Sequence, residues 1–236
     1  NGLNLVIHSG EVFGLAGVDG NGQSELVEAI NGMRRVQGGK VMLCGEDITN
    51  APPRQVIEKG EALIPEDRKK VGTVCSFSID RNLILRNLND PRYCRRGMID
   101  YKVLAKDTDQ IIEEFDIRLS HRADPVDHLS GGNLQKVILA REIKSKPKLL
   151  VAMHPTRGLD VGAIEFIHRK ILDAAKDGAA VLLVSTELEE IVSLSDTVAV
   201  MFDGALSRPL QGDELNVENL GLLLGGAKIE GGAAHA

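Results

Sequence analysis

Five short runs of almost wholly apolar residues are spaced along the chain, and none of them alternates apolar with polar positions. They are Val12–Val18, Glu61–Pro65, Leu149–Met153, Ala180–Ser185 and Thr197–Phe202. Continuous apolar runs of this length are typical of strands that are buried on both faces, as in a parallel sheet covered by helices. The pattern therefore predicts five strands of such a sheet.

Helical patterns separate these runs. Apolar residues at three- and four-residue spacing follow the first run over 24–33, precede the fourth run over 160–178 and follow it over 187–195. Strands that alternate with helices indicate an α/β core of the doubly wound kind.

The middle of the chain has a different pattern. Between about residues 77 and 143 the apolar runs disappear, and two helical patterns, 101–117 and 130–145, take their place. We therefore predict a helical subdomain inserted into the α/β core. Turn residues within Leu43–Pro53 indicate a hairpin and a small antiparallel flank. We place the domain at 1–210 and expect the Gly- and Ala-rich tail, 211–236, to be partly frayed.

Charge and composition exclude some classes of partner. Lys and Arg number 28 against 34 Asp and Glu, a net charge of −6, whereas nucleic-acid binding normally needs a basic surface. The three cysteines are far apart and have no metal-ligand spacing, which favours a reducing compartment. No apolar run approaches the roughly 20 residues that cross a bilayer. We expect no nucleic-acid partner and no membrane-spanning segment.

A candidate phosphate-binding loop follows the first apolar run. Gly17, Gly22 and Ser24 fit the pattern G-x-x-x-x-G-x-S between a predicted strand and a predicted helix, which is the context that such a loop requires. Glycines let backbone amides turn inward around an anion, and the helix N-terminus adds its dipole. A glycine-rich turn without a ligand stays open as an alternative, because Gln23 stands where the loop's lysine is expected.

A second candidate anion site lies in the stretch LSGGNLQK, Leu129–Lys136. Ser130 can cap the helix that follows, and Gly131 and Gly132 leave backbone amides free at its N-terminus. Alone, this stretch is also compatible with a simple helix cap. With a phosphate-loop pattern more than 100 residues before it and KPKLLVAMHPTRGLD after it, the combination is highly specific.

With these motifs, the chain resembles the ATP-binding domain of ABC transporters from its first strand to about Gly204. GVDGNGQSE resembles the Walker A loop of that family, LSGGNLQK its signature, LLVAMHP its Walker B strand, TRGLD its D-loop and VSTELEE its H-loop region. IPEDRKKVGT and PTRGLDVGA resemble the second ATP-binding half of sugar- and nucleoside-type importers. The resemblance implies a P-loop NTPase core and the cofactors ATP and Mg²⁺.

The resemblance also implies a set of nucleotide-binding residues. They are Gly17, Asp19, Gly20, Asn21, Gly22, Gln23, Ser24 and Glu25 in the loop, Ser130, Gly131 and Gly132 in the signature, and Asp160 in the D-loop. Ser24 would be the Mg²⁺ ligand. The catalytic positions would be Glu66 in the Q-loop, His154 after Walker B and Thr186 in the H-loop.

Five positions depart from the family pattern. Gln23 replaces the Walker A lysine, and Met153 replaces the Walker B aspartate that helps to hold Mg²⁺. His154 replaces the glutamate that follows, Glu66 the Q-loop glutamine, and Thr186 the H-loop histidine. Removing one preorganised stabilising group costs roughly 10²–10³ in rate. We therefore expect a degenerate site, and His154 acting as a base is the alternative left open.

In ABC proteins the signature of one ATP-binding domain completes the site of another, so an intact signature here can act on a partner. The implied partners are an N-terminal ATP-binding domain of the same polypeptide, transmembrane permease subunits and, indirectly, an extracytoplasmic substrate-binding protein. The implied function is import of nucleosides or simple sugars at the cytoplasmic face of the plasma membrane. Two alternatives stay open: a structural pseudo-ATPase, and a soluble ABC ATPase that acts on DNA or ribosomes.

The first residues, up to Glu11, have the pattern of a strand, and no initiator methionine precedes them. We therefore expect the chain to be a piece of a longer polypeptide.

Overall fold

All five predicted runs form strands of one sheet in the computed structural model, which describes residues 2–87 and 90–227. The strands are β1 (Val12–Ala16), β2 (Met42–Leu43), β3 (Glu46–Asp47), β4 (Glu61–Ile64), β5 (Cys94–Arg95), β6 (Met98–Ile99), β7 (Leu149–Met153), β8 (Ala180–Ser185), β9 (Thr197–Phe202), β10 (Ala205–Leu206) and β11 (Leu210–Gln211). The α-helices are α1 (Gln23–Ile30), α2 (Pro53–Glu58), α3 (Ile79–Leu83), α4 (Tyr101–Glu114), α5 (Gly131–Lys144), α6 (Val161–Lys176), α7 (Leu188–Leu194) and α8 (Val217–Leu224).

The main sheet has the strand order β10-β9-β1-β8-β7-β4, and β11 also pairs with β9. The five long strands are parallel, whereas β10 and β11 run antiparallel to β9. A short hairpin of β2 and β3 adds the predicted antiparallel flank. The α/β fold with a mostly parallel sheet is therefore confirmed.

Both faces of the sheet are buried, which explains why the apolar runs do not alternate. In β8, Val181 and Leu183 belong to one hydrophobic core, while Leu182 and Val184 belong to a second core on the opposite face. Because successive side chains of a strand point to opposite faces, every position of such a strand must be apolar. The unbroken apolar pattern of the strand thus reflects a hydrophobic core on each face of the sheet.

The region between 77 and 143 contains α4 and α5, where the two helical patterns lie, and also the short helix α3, which no pattern predicts. It also contains the hairpin of β5 and β6, which the sequence pattern does not predict. Arg96 and Gly97, the two residues between these strands, have φ angles of 51° and 80°. Such left-handed pairs form tight hairpin turns, but the strands they join are two residues long and carry little hydrophobic periodicity.

The N-terminal segment differs from the prediction of a strand. Residues 2–7 have no strand hydrogen bonding, although Leu3, Leu5 and Ile7 alternate toward the second core and pack against it. The alternation reflects burial on one face only, and burial alone does not supply a neighbouring strand with which the backbone can pair.

The tail, expected to be partly frayed over 211–236, contains the ordered elements β11 and α8. Asn216 caps α8 by accepting a hydrogen bond from the Asn219 backbone N–H at 2.9 Å, and Leu220 and Leu223 are buried in the first core. The leucine spacing thus anchors this segment, despite the glycines near it. Residues 228–236 lie outside the described residues. Within the described ranges, no helix is long and apolar enough to cross a membrane.

The docking of α8 is testable with a matched pair of variants. Leu220 is 0% exposed and Leu222 is 51% exposed. We expect Leu220→Ala to lower the free energy of unfolding by about 2–5 kcal/mol, because it leaves a cavity in the core. Leu222→Ala on the same helix should change it by less than about 0.5 kcal/mol. Urea denaturation followed by circular dichroism measures both, and equal effects would contradict the docking of this helix.

A buried ionic cluster lies where β4 begins. Glu61 is 2% exposed, and its Oε1 has no hydrogen-bond partner among the described residues. Arg86 donates to the Glu61 backbone carbonyl and to the Glu142 carboxylate, and Arg141 also pairs with Glu142. Burial raises the pKa of Glu61 to about 7, with Arg86 lowering it and Glu142 raising it further. The folded chain therefore favours a protonated Glu61.

This pKa gives stability a pH dependence of defined sign. Because the folded state holds a proton that the unfolded state loses above the ordinary carboxyl pKa of 4.5, we expect the free energy of unfolding to fall as pH rises from 4.5 to 7. The slope contributed by Glu61 should reach up to about 1.4 kcal/mol per pH unit.

This pH dependence is tested by measuring the urea midpoints of the wild type and of Glu61→Gln from pH 4 to 8. The variant should lack this part of the slope, whereas exposed Glu58→Gln should keep it. Parallel curves for the wild type and Glu61→Gln would contradict the assignment.

Candidate functional site

The phosphate loop connects β1 to α1, and two of its glycines have conformations that other residues rarely adopt. Gly20 has φ = 90° and Gly22, immediately before α1, has φ = 114°. These left-handed angles turn the chain sharply into the helix. Ser24 and Glu25 are exposed in the first helical turn, where backbone N–H groups have no partner within the helix. The loop therefore has the shape of a phosphate cradle.

Gln23 folds back into this loop. Its side chain is buried, and its Nε2 donates to the Val18 carbonyl at 3.1 Å. Asn21 Nδ2 donates to the same carbonyl at 2.9 Å. A Cβ at Gly17 would lie 1.9 Å from Nε2 of Gln23 and 3.0 Å from the Met201 carbonyl oxygen, so a side chain there would displace the Gln23 amide. The residue at the lysine position is thus a neutral amide that the loop itself binds.

The loop is also braced by the turn after β9. Asn21 accepts hydrogen bonds from the backbone N–H groups of Asp203, at 2.8 Å to Oδ1, and of Gly204, at 3.0 Å to its carbonyl. These bonds hold the middle of the loop without any ligand.

The end of β7 carries the two replaced Walker B positions beside the loop. Met153 and His154 are both buried, at 8% and 7% exposure. His154 has φ = 44° and donates its backbone N–H to Val184 at 2.8 Å. Its Nε2 lies 3.9 Å from Asp19 Oδ1 of the loop. The structure therefore brings His154 and Asp19 together, as the sequence predicts for residues of one site.

Arg157, which lies in the D-loop segment, connects that segment to the Q-loop position and to the phosphate loop. Its guanidinium forms an ion pair with Glu66 at the Q-loop position and lies 3.9 Å from Asp19 Oδ2. For Arg157, sequence reasoning leaves a contact with phosphate or with interdomain carboxylates open and favours an ordinary ion pair. Its place three residues after His154, at the same edge of the sheet, is the signal that points to it.

The Q-loop segment is tied to the signature helix as well. Arg68 donates from Nε to Gln135 Oε1 at 2.9 Å and also bonds the Arg157 carbonyl. Gln135 in turn donates to the Pro155 carbonyl at 2.7 Å. A cavity of about 810 Å³ lies above these contacts, between the Q-loop and α5. It is lined by Glu66, Asp67, Arg68, Lys69, Lys70, Gly131, Leu134 and Arg157.

Thr186 is not drawn into this arrangement. It is exposed after β8, and the described residues provide no hydrogen bond between it and the other predicted site residues. Beneath it, the buried carboxylate of Glu190 accepts from Thr156 Oγ1 at 2.6 Å and contacts His168 Nε2 at 2.8 Å. Burial raises the pKa of Glu190, but its hydrogen bonds with His168 and its other polar neighbours outweigh burial and lower it. This contact ties the D-loop turn to α6 and α7.

The signature and the D-loop form a second group. Ser130 caps α5, and its Oγ accepts from Asn133 Nδ2 at 3.0 Å. Gly132 packs closely on α6, because a Cβ there would lie 3.2 Å from the Ala163 Cβ and 3.5 Å from Asp160 Oδ2. No hydrogen bond or ion pair joins Ser130, Gly131 or Gly132 to the phosphate loop in the described residues. The signature and the phosphate loop are therefore two separate glycine-containing surfaces.

The residues at the phosphate loop do not make the Mg²⁺ site that the family resemblance implies. Ser24 supplies one hydroxyl, while the Walker B position offers the thioether of Met153, a soft ligand unsuited to Mg²⁺. The described residues contain no group of three or more His, Cys, Asp or Glu side chains placed to hold a metal ion.

Solved structures share this fold. A nucleotide-free ATP-binding cassette from an ABC transporter has a TM-score of 0.75 and 23% identity over 93% of this chain and 87% of its own. A dimeric post-hydrolysis cassette bound to ADP and Pi also has a TM-score of 0.75, with 19% identity over 89% of this chain and 88% of its own. The fold is that of ABC ATP-binding cassettes.

The family follows from the sequence. The profile of the ABC transporter family matches residues 1–157, more than half of the chain. The chain belongs to the ABC transporter family.

Its relatives include import proteins. The guanosine import ATP-binding protein NupO of Bacillus subtilis is 44% identical over 99% of this chain and 46% of its own length. The nucleoside import ATP-binding protein NupA of Lactococcus lactis is 42% identical over 97% of this chain and 45% of its own length. A glucose import ATP-binding protein of Haloferax volcanii is 42% identical over 95% of this chain and 41% of its own length. The chain spans less than half the length of these relatives.

The geometry of the D-loop yields a stability prediction. Asp160 caps α6 by accepting from the Ala163 backbone N–H at 3.0 Å. We expect Asp160→Ala to lower the free energy of unfolding by about 1 kcal/mol, because that N–H loses its partner. Asp160→Asn keeps a capping oxygen and should retain most of this stability. Urea denaturation measures both, and equal losses for the two variants would show that the charge of Asp160, rather than its cap, matters.

Proposed function

We propose that this chain is an ATP-binding domain of an ABC importer for nucleosides or simple sugars, whose own Walker site is degenerate and whose signature completes the site of a partner domain. The importer class is supported by the guanosine, nucleoside and glucose import relatives. The highest of these three identities, 44%, belongs to a guanosine import protein, which favours a nucleoside as cargo.

The degenerate site is supported by the side chains at the loop. Phosphoryl transfer needs positive charge on the phosphates and a positioned water or base. Gln23 is neutral and bonded to the Val18 carbonyl, and Met153 provides no oxygen for a metal. His154 has its ring nitrogen toward Asp19. Little hydrolysis is therefore expected at this chain's own loop.

The trans role is carried by one observation: the signature keeps its serine and glycines on a surface apart from the degenerate loop. Gly131 is exposed at the N-terminus of α5, where backbone amides and the helix dipole favour an anion. A nucleotide that the partner domain holds would meet these amides.

The partners follow from the same proposal. The partner ATP-binding domain belongs to the same polypeptide, in keeping with relatives about twice as long as this chain. Permease subunits would hold the domain at the cytoplasmic face of the plasma membrane, with an extracytoplasmic substrate-binding protein acting through them. The apolar side chains of Val71, Val74 and Phe77, exposed after the Q-loop segment, offer a surface for such a contact.

The test is the ATPase rate of the complete importer polypeptide assembled with its permease. We expect Gly131→Asp to lower the rate about 100-fold, because a negative charge would oppose the partner's nucleotide and block the donating amides. A Cβ at Gly131 meets only ordinary contacts, 3.6 Å from Leu159 and 3.8 Å from Arg68, so this substitution spares the fold.

The matched control is Gly38→Asp, in an exposed loop where a Cβ meets nothing within 4 Å. It should leave the rate unchanged. A third variant, His154→Ala, separates the alternatives. If His154→Ala abolishes turnover while Gly131→Asp does not, hydrolysis occurs at this chain's own loop and the trans role is wrong. If neither lowers turnover, the chain is a structural pseudo-ATPase.

A further inference from the structure

We propose that the phosphate loop of this chain binds the phosphates of a nucleotide without Mg²⁺, and that Arg157 supplies the positive charge for this binding. The inference rests on the proposed function for the identity of the ligand, a nucleoside triphosphate. It goes beyond that function in two respects: the binding needs no metal, and Arg157, which lies outside the phosphate-loop motif, takes part in it.

The loop needs a source of charge. In complete sites of this kind, a lysine and a bound Mg²⁺ offset the negative charge of the phosphates. Here Gln23 is neutral, and its amide donates to the Val18 carbonyl. Met153 cannot take the place of a carboxylate in holding a metal. The backbone cradle of Gly20 and Gly22 remains, so the shape for phosphate is present without the usual cations.

Arg157 is a cation at the mouth of this cradle. Its guanidinium lies 3.9 Å from Asp19, which is itself a loop residue, and 55% of its side chain is exposed. Its backbone is fixed on both sides, since its N–H donates to the His154 carbonyl at 3.2 Å and Arg68 bonds its carbonyl. Guanidinium groups bind phosphate oxygens through two parallel hydrogen bonds and keep their charge at all ordinary pH values.

Two carboxylates compete for the same guanidinium. Glu66 pairs with Arg157 directly, and Asp19 lies close to it. A phosphate must therefore displace Glu66 or share Arg157 with it, which makes the binding weaker than in a site with lysine and Mg²⁺. The competition predicts effects of opposite sign: removing Arg157 weakens binding, whereas removing the charge of Glu66 strengthens it.

The experiment is a titration of this chain with mant-ATP, followed by fluorescence anisotropy, in excess MgCl₂ and in excess EDTA. We expect the two Kd values to agree within about twofold. Arg157→Gln should weaken binding about tenfold in both buffers, through the loss of a charge-assisted hydrogen bond. Glu66→Gln should tighten it in EDTA. Arg54→Gln, which removes an exposed arginine on α2, should change nothing.

Several results would overturn the inference. They are loss of binding in EDTA, an unchanged Kd for Arg157→Gln, and weaker binding by Glu66→Gln. The urea midpoint of each variant checks that it is folded, and the gain expected for Glu66→Gln cannot arise from misfolding. Absence of mant-ATP binding by the wild type would also overturn it. That last result leaves the trans role standing, because the signature acts on the partner's nucleotide.

Discussion

The arrangement of this site depends on one constraint, the parallel order of β1, β8 and β7. Neighbouring parallel strands end at the same edge of a sheet, and ligands of α/β folds bind at that edge. The phosphate loop follows β1, Thr186 follows β8 and His154 follows β7. Residues 17, 154 and 186, which are far apart in sequence, therefore end at one edge whatever their side chains are. The sheet fixes the place of these residues independently of their side-chain chemistry.

Because the fold and the side chains of the site depend on different residues, the five positions that depart from the family pattern can change without loss of the fold. The cores on the two faces are built from residues such as Leu182 and Leu183, which make no contact with a ligand. At the edge, two of the substituted side chains have partners within the site. Gln23 bonds the loop carbonyl of Val18, and Glu66 pairs with Arg157. Buried or crowded polar groups need such partners, so the site is rebuilt as an internal network.

Sequence reasoning predicts the parts of this structure that follow from burial. The five apolar runs give the five long strands because both faces are core, and the glycine spacing gives the phosphate loop. It does not predict the hairpin at Arg96 and Gly97, whose strands are too short to show a period, nor the docking of α8, whose leucines lie next to glycines. Nor does it decide which partners Arg157 has, because the pairing of its side chain depends on loops from three strands. Contacts of this kind depend on tertiary geometry rather than on local pattern.

The phosphate loop and the signature differ in the charged side chains around them, and the functional argument depends on this difference. At the phosphate loop, Asp19 and Glu66 place negative charge beside the cradle, and Arg157 is shared between them. At the signature, Gly131 is exposed and its nearest charged neighbour is Arg68, whose Nη1 would lie 3.8 Å from a Cβ at that position. An anion approaching Gly131 thus meets a helix dipole and a cation, with the Asp160 carboxylate beside the next residue, Gly132. A phosphate at the loop must compete with Glu66 for Arg157. Under the proposed function, this difference favours the phosphates of a partner's nucleotide at the signature over phosphate at this chain's own loop.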